Sequence, residues 1–452
     1  MTVNARKTET PHVATQNTCK LCAPLGASLA FKGIQNAISL LHGSQGCSTY
    51  IRRYMIGHFR EPVDIASSSF DESTAIFGGR EQFITSIKNL ITQYSPSVIG
   101  VATTCLAETI GEDVAAYIRE YASTDQDSTT DVIGVNTPSF RGTHVEGFTE
   151  AVCSIVDRYA KPSPPTSKVV LLPGMVSPAD LRHVKDVVEQ WDLDTLLLPD
   201  YSDTLDGGAW DAYHKLPSGG TSVEELRTIG GARAAVEFDT FCSNVTKPSS
   251  ILAARCGCST YMQPLPIGLD LTDRYMEYLS LLSGIKMPEK IYKTRMRLVD
   301  SYIDGHKYLF GKKAVVYGDP GLVYSLCSFL SEIGVDVVLC ATGTMSQRFT
   351  QKMLKLYTGR DVEILDDADF EYLARRTEVL KPDIVIGNSK GYSFTSKLGI
   401  PLVRAGFPIQ DRIGSQRIQH LLYDGTQQLF DRIVNTIIEN VQNNTPTGYL
   451  TY

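Results

Sequence analysis

From Ala23 to about Ala160 short apolar runs alternate with longer stretches of helical periodicity. Ala37-Ile38-Ser39-Leu40-Leu41, Val98-Ile99-Gly100-Val101-Ala102 and Val132-Ile133-Gly134-Val135 are strand-sized and predict buried strands. Between them REQFITSIKNLITQY, LAETIGEDVAAYIREYA and VEGFTEAVCSIVDRYA carry the 3.6-residue period of helices packed on a core. Strand and helix in strict alternation predict an α/β unit with a mainly parallel sheet. The Pro- and Ser-rich run Lys161 to Ser167 ends it. A second unit opens on Lys168 to Gly174, with Ser177-Pro178 capping ADLRHVKDVVEQWD, a strand over Thr195–Leu198 and a capping box at Ser222 and Glu225. A helical run near Pro288 to Phe310 bridges to a third unit, KAVVYG, VDVVLC, VEIL, DIVIG and PLVRAGF, each separated by a helix. The expected fold is α/β with three doubly wound, Rossmann-like parallel-sheet domains. The divisions are a polar N-terminal arm over 1–18, expected to order only against a partner, a first domain over 19–160, a second over 168–287, and a third with the bridging and C-terminal helices over 288–452.

The three strands of the first unit each run into a loop that carries chemistry. Gly43 and Gly46 let the chain bend toward Cys47, Thr103-Thr104 lead to Cys105, and Asn136-Thr137-Pro138 lead to Ser139. Ligands of open parallel sheets bind outside the carboxyl ends of the strands, so Cys47, Cys105 and Ser139 are expected to converge. Cys22 precedes Ala23-Pro24, a proline suited to a first helical turn, and backbone amides there should lower its thiol pKa. Cys19-Lys20-Leu21-Cys22 is ambiguous by itself, but a redox dithiol would need a preceding strand where this chain has a polar arm.

Structural zinc usually takes paired hairpins or Cys/His knuckles, whereas three thiols and a hydroxyl from separate elements of one sheet favour an iron–sulfur cluster. Catalytic-thiol chemistry fits less well, because no general-base geometry follows from the five-residue spacing of His42 and Cys47. His42 and His58 also read as core histidines. Cys153, Cys242, Cys327 and Cys340 read as space-filling thiols, and the lone Cys256-Gly257-Cys258 is weak as a metal motif. Gly318-Asp319-Pro320-Gly321 lacks the spacing of a dinucleotide loop and reads as a turn, while Asn388 to Gly391 reads equally as a cap or as part of a ligand crevice.

Composition narrows the setting. A chain of 452 residues has room for about three domains of roughly 150 residues. The 43 basic against 50 acidic residues give a net charge of -7 without basic blocks, which argues against a nucleic-acid partner. Apolar runs too short to span a bilayer and a polar N-terminal segment without a signal-peptide core predict a cytoplasmic protein with no membrane contact. Ten cysteines are too sparse for a disulfide scaffold.

CxPLGA at Cys22 to Ala27, HGSQGC at His42 to Cys47, HFREP at His58 to Pro62 and FGG at Phe77 to Gly79 stand in one order along the chain. TTCLAETIGED at Thr103 to Asp113, NTPSF at Asn136 to Phe140, SDTLDGG at Ser202 to Gly208 and GFPIQDR at Gly406 to Arg412 complete the set. With these motifs the chain resembles a β-type subunit of the nitrogenase superfamily over nearly its whole length. The resemblance implies the component 1 fold and an oxidoreductase role. It implies that Cys22, Cys47, Cys105 and the redox-dependent Ser139 hold half of a P-type iron–sulfur cluster (8Fe-7S) shared with an α-type subunit. Electrons would come from an ATP-dependent iron protein docking at Phe77, pass near Tyr50, and reach a metallocluster in the α subunit of an α2β2 heterotetramer. Phe77 otherwise reads as a core aromatic beside a Gly-Gly turn.

The short N-terminal segment departs from the long extension of dinitrogen-reducing β subunits. The complete Cys and Ser set places a nitrogenase-like reductase, such as methylthio-alkane reductase, first. The wording CKLC and YIRRY places the β-type chain of the nitrogenase iron-molybdenum cofactor assembly scaffold second. A non-redox small-molecule binding protein is a third reading.

Overall fold

The computed structural model describes residues 6–7, 19–125, 129–243 and 245–446. Its strands in chain order are β1 (Arg6–Lys7), β2 (Ala37–His42), β3 (Ile65–Ser67), β4 (Val98–Thr103), β5 (Asp131–Val135), β6 (Val169–Leu172) and β7 (Thr195–Leu197). They continue with β8 (Ala234–Phe238), β9 (Ser259–Gln263), β10 (Lys313–Gly318), β11 (Asp336–Thr342), β12 (Glu363–Leu365), β13 (Ile384–Gly387) and β14 (Leu402–Arg404). Three sheets result, ordered β3-β2-β4-β5, β7-β6-β8-β9 and β1-β12-β11-β10-β13-β14, and every pairing within them is parallel. This is the three-domain α/β architecture read from the alternation of patterns. No helix among the described residues is long and apolar enough to cross a membrane.

The helices around the first sheet are α1 (Ala23–Lys32), α2 (Gln45–Phe59), α3 (Glu72–Phe77), α4 (Arg80–Tyr94), α5 (Cys105–Ile110), α6 (Val114–Thr124) and α7 (His144–Tyr159). All ten residues of α1 are buried, because it lies within a core shared by side chains from all three units. It meets α7 backbone to backbone. A Cβ at Gly26 would lie 1.7 Å from the His144 carbonyl oxygen, and one at Gly147 would lie 2.1 Å from that of Ala23. Only glycine permits this approach, which fixes where α1 begins and therefore where Cys22 stands.

Two expectations need correction. The pattern from Leu106 to Ala122 is not one helix, since Gly111 turns left-handed at φ +81 and ends α5. The Asp113 carboxylate then accepts the Ala116 amide and starts α6. The N-terminal arm, expected to order only against a partner, instead places Arg6 and Lys7 beside Glu363 and Ile364 of the chain's own third sheet. The rest of that arm lies outside the described residues. The bridging helix Glu289–Leu309 forms as expected and packs on the C-terminal helix Leu422–Asn444, where the Tyr302 and Phe430 rings meet tilted at 5.1 Å.

Candidate functional site at the first sheet edge

The chain passes from β2 to β3 on one side and then crosses to β4 on the other, so the loops after β2 and β4 diverge at a topological switch point. A Cβ at Gly43 would fall 2.0 Å from Thr104 Oγ1, so the two loops are in contact at their bases. Thr104 also donates its amide and its hydroxyl to the His42 carbonyl, each at 3.1 Å. Cys47 follows in the first turn of α2 and Cys105 is the first residue of α5. Beyond β5 the Ser139 amide donates to Cys105 Sγ at 3.3 Å, and the Ser139 Oγ accepts the Ala23 amide at 3.2 Å. Ser139 thus ties the Cys105 loop to the helix that Cys22 caps.

Burial pushes the Cys22 thiol up to about 11, against the pull of a backbone amide at Leu25, and the nearby Cys47 and Cys105 thiols push it further. The expected lowering at a helix start is therefore overturned, because desolvation of the thiolate outweighs the amides. Cys47 and Cys105 thus lie within electrostatic reach of Cys22. Ser44 Oγ lies 3.9 Å from Cys47 Sγ, a second polar contact to sulfur. Among the described residues no three His, Cys, Asp or Glu side chains gather tightly enough to hold a single metal ion.

The CKLC segment is not a dithiol. Cys19 is buried among Val315, Tyr317 and Leu339 of the third sheet, with burial holding its thiol well above the usual range, while Cys22 sits at the other edge of the segment on α1. Lys20 pairs with Asp367 at 2.5 Å between them. Cys242, Cys327 and Cys340 are buried thiols as expected, and Cys153 donates to the Thr246 carbonyl at 3.0 Å. Cys258 is buried and Cys256 half-buried.

Phe77 is not a core aromatic. It is 86% exposed at the end of α3, with Ile76 beside it at 74%. Tyr50 projects from α2, 5.7 Å from Tyr54, whose ring faces the Lys390 ammonium at 6.0 Å. His58 is a core histidine: its Nδ1 accepts the Ile409 amide at 2.8 Å, and burial drives it down to about 3. His42 is fully buried, with Nε2 2.9 Å from the Glu112 carboxylate, and burial lowers its pKa despite that partner.

Sequence reasoning missed three supporting residues. His144 Nδ1 accepts the Leu21 amide at 3.3 Å, and the Asp319 carboxylate of the third unit lies 3.0 Å from its Nε2 without hydrogen-bond alignment. Glu112 meets His42 at Nε2, 2.9 Å away. The turn at Asp319 had been legible only as a turn, because its partner is 175 positions distant.

The geometry agrees with three comparisons. Residues 22–438 match the family of nitrogenase component 1 type oxidoreductases. The chain is 34% identical over 433 residues to the nitrogenase molybdenum-iron protein beta chain of Clostridium pasteurianum, covering 94% of each. It is also 34% identical over 439 residues to the nitrogenase iron-molybdenum cofactor biosynthesis protein NifN of Mesorhizobium japonicum, covering 96% of this chain and 93% of that one. A solved structure titled "Nitrogenase Cp1 at pH 6.5" superposes with a TM-score of 0.95 at 32% identity, covering 99% of this chain and 98% of the other. The chain belongs to the nitrogenase component 1 family, among its β-type members.

Proposed function

We propose that this chain is the β-type subunit of a nitrogenase-like reductase complex and that Cys22, Cys47, Cys105 and Ser139 hold its half of a P-type iron–sulfur cluster. The observation that carries this reading is the position of Ser139, whose amide meets Cys105 and whose hydroxyl meets the first amide of the Cys22 helix. When bound, the cluster supplies reversible electron storage between an ATP-dependent iron protein and a metallocluster in the α subunit, where substrate such as a methylthio-alkane or dinitrogen is reduced.

The chain's own groups divide the remaining tasks. The three cysteines lose their protons to become thiolate ligands, and the Ser139 amide and Ser44 hydroxyl steady two of the sulfurs. A serine hydroxyl ligates iron well only when deprotonated. The Ala23 amide at the positive end of α1 favours that alkoxide, so Ser139 suits a ligand taken up on oxidation. Phe77 offers an exposed aromatic for the iron protein, and Tyr50 lies beside Cys47 on the electron path. Three thiolates and one hydroxyl are too few to cap a cluster of eight irons, so an α-type partner must close the site within an α2β2 tetramer.

The test is co-production. The lone chain should be iron-poor, and co-production with its α-type partner should restore iron and solubility. A monodisperse lone chain with all eight irons rejects the shared cluster. The NifN relative, as similar as the beta chain, supports a second reading as the β-type subunit of the cofactor assembly scaffold. Iron-protein-dependent turnover by the purified complex favours the reductase, and its absence in a fully iron-loaded complex favours the scaffold.

A further inference from the structure

Between the exposed Phe77 and the cysteine loops runs a short buried chain of polar contacts that the proposed ligand set leaves unused. The Phe77-Gly78-Gly79 turn ends α3, and its Gly79 amide donates to Glu112 Oε1 at 2.9 Å. Glu112 Oε2 lies 2.9 Å from His42 Nε2, with both side chains nearly free of solvent. His42 is the last residue of β2, boxed by Phe70 at 4.8 Å, Phe83 at 5.3 Å and Tyr117 at 6.2 Å. Its carbonyl holds the amide and hydroxyl of Thr104, the residue before Cys105, and its own chain continues through Gly43 and Ser44 to Cys47. The Phe70 ring lies between the two ends, because a Cβ at Gly79 would meet it at 2.6 Å.

We propose that Glu112 is a positioning residue that couples the Phe77 turn to the loops bearing Cys47 and Cys105, so that a partner pressing on the turn shifts the proposed ligands. The inference rests on the reading of those cysteines as cluster ligands and of Phe77 as a docking residue. Its physical basis is the cost of slack in a dry site. Glu112 Oε1 takes the Gly79 amide and Oε2 faces His42 Nε2, with the Tyr117 hydroxyl also bonded to the carboxylate, so moving either Gly79 or His42 breaks a buried contact to a charged group. Phe70, Phe83 and Tyr117 pack around the pair and leave it little solvent exposure. A displacement of the turn is thus shared with the end of β2 rather than absorbed.

Hydrogen exchange on the complex co-produced with the α-type partner tests this apart from turnover. Glu112→Ala should speed exchange at Gly79 about tenfold, as expected for loss of one hydrogen bond to a charged group, and exchange at Thr104 should rise with it. Iron content should stay at the wild-type level while iron-protein-driven electron transfer falls about tenfold and reduction of the same cluster by a small-molecule reductant is unchanged. Glu112→Gln keeps an acceptor for Gly79 but turns an amide donor toward the His42 N–H, so Gly79 should stay protected while Thr104 loosens. That variant carries the test if the alanine form fails to fold. Unchanged Thr104 exchange beside a loosened Gly79, an unchanged electron-transfer rate, or loss of iron from both variants overturns the coupling. An iron-free wild-type complex would instead defeat the ligand assignment, leaving the exchange result to be judged separately.

Discussion

The carboxyl edges of the first and third sheets share a topology and differ in what their loops leave open. In each, a central strand is flanked by the next strand on one side and a later one on the other, placing a switch point at β2/β4 and at β10/β13. At the third edge Asn388 and Tyr317 have their hydrogen bonds met within the protein. Asn388 accepts the Lys390 amide and donates to the Phe407 carbonyl, Tyr317 donates to the Asn388 carbonyl and accepts the Gly391 amide, and Asp319 faces His144. At the first edge Cys22, Cys47 and Cys105 stand at helix starts as free thiols. A crevice comes with the topology, whereas a site requires donors that the protein has not already used. The closed edge still serves the open one, since Asp319 and His144 steady Leu21 next to Cys22.

The largest expected effect comes from emptying the open edge. Alanine at Cys22, Cys47 or Cys105 should remove iron from the co-produced complex, whereas Cys19→Ala, whose side chain packs in the third sheet, should retain most of it. Iron analysis and visible absorbance check this, and unchanged values in the triple alanine variant would end the contrast between the edges. Next is the helix under the site. Gly26→Val forces a side chain onto the His144 carbonyl and should cost about 3 kcal/mol or more, read as a lowered denaturation midpoint.

Altering the closed edge should do less. Asp319→Ala removes the carboxylate beside His144 Nε2 and should cost about 1 kcal/mol of stability while leaving the iron ligands in place. Loss of iron equal to that of a cysteine variant would show that the two edges form one unit. The smallest effect is expected at Ser139→Ala, which should assemble normally and differ only in the oxidised-state spectrum or midpoint potential. Identical redox titrations would remove Ser139 from the ligand set.

Much of this was readable along the chain. The buried strands at Ala37 and Val98 and the partly buried one at Val132 form where the apolar runs lie, and Cys47 and Cys105 fall at the starts of the helices after the first two, because strand ends and helix caps are written in local sequence. The break at Gly111 was hidden by helical periodicity on both sides of it. Exposure was not readable either. Phe77 follows Ile76 and Phe83 precedes Ile84, yet one is exposed and the other buried against His42, a difference that depends on contacts with distant residues.

The sequence by itself determined the alternation of strand and helix, the three units, and the residue types able to hold a cluster, since these depend on periodicity, turn chemistry and motif. Only the tertiary structure separated Cys19 from Cys22, set the Cys22 thiol high rather than low, and joined Glu112 to His42 and Asp319 to His144. Those outcomes depend on burial and on contacts between residues 70 and 175 positions apart, which no local pattern encodes.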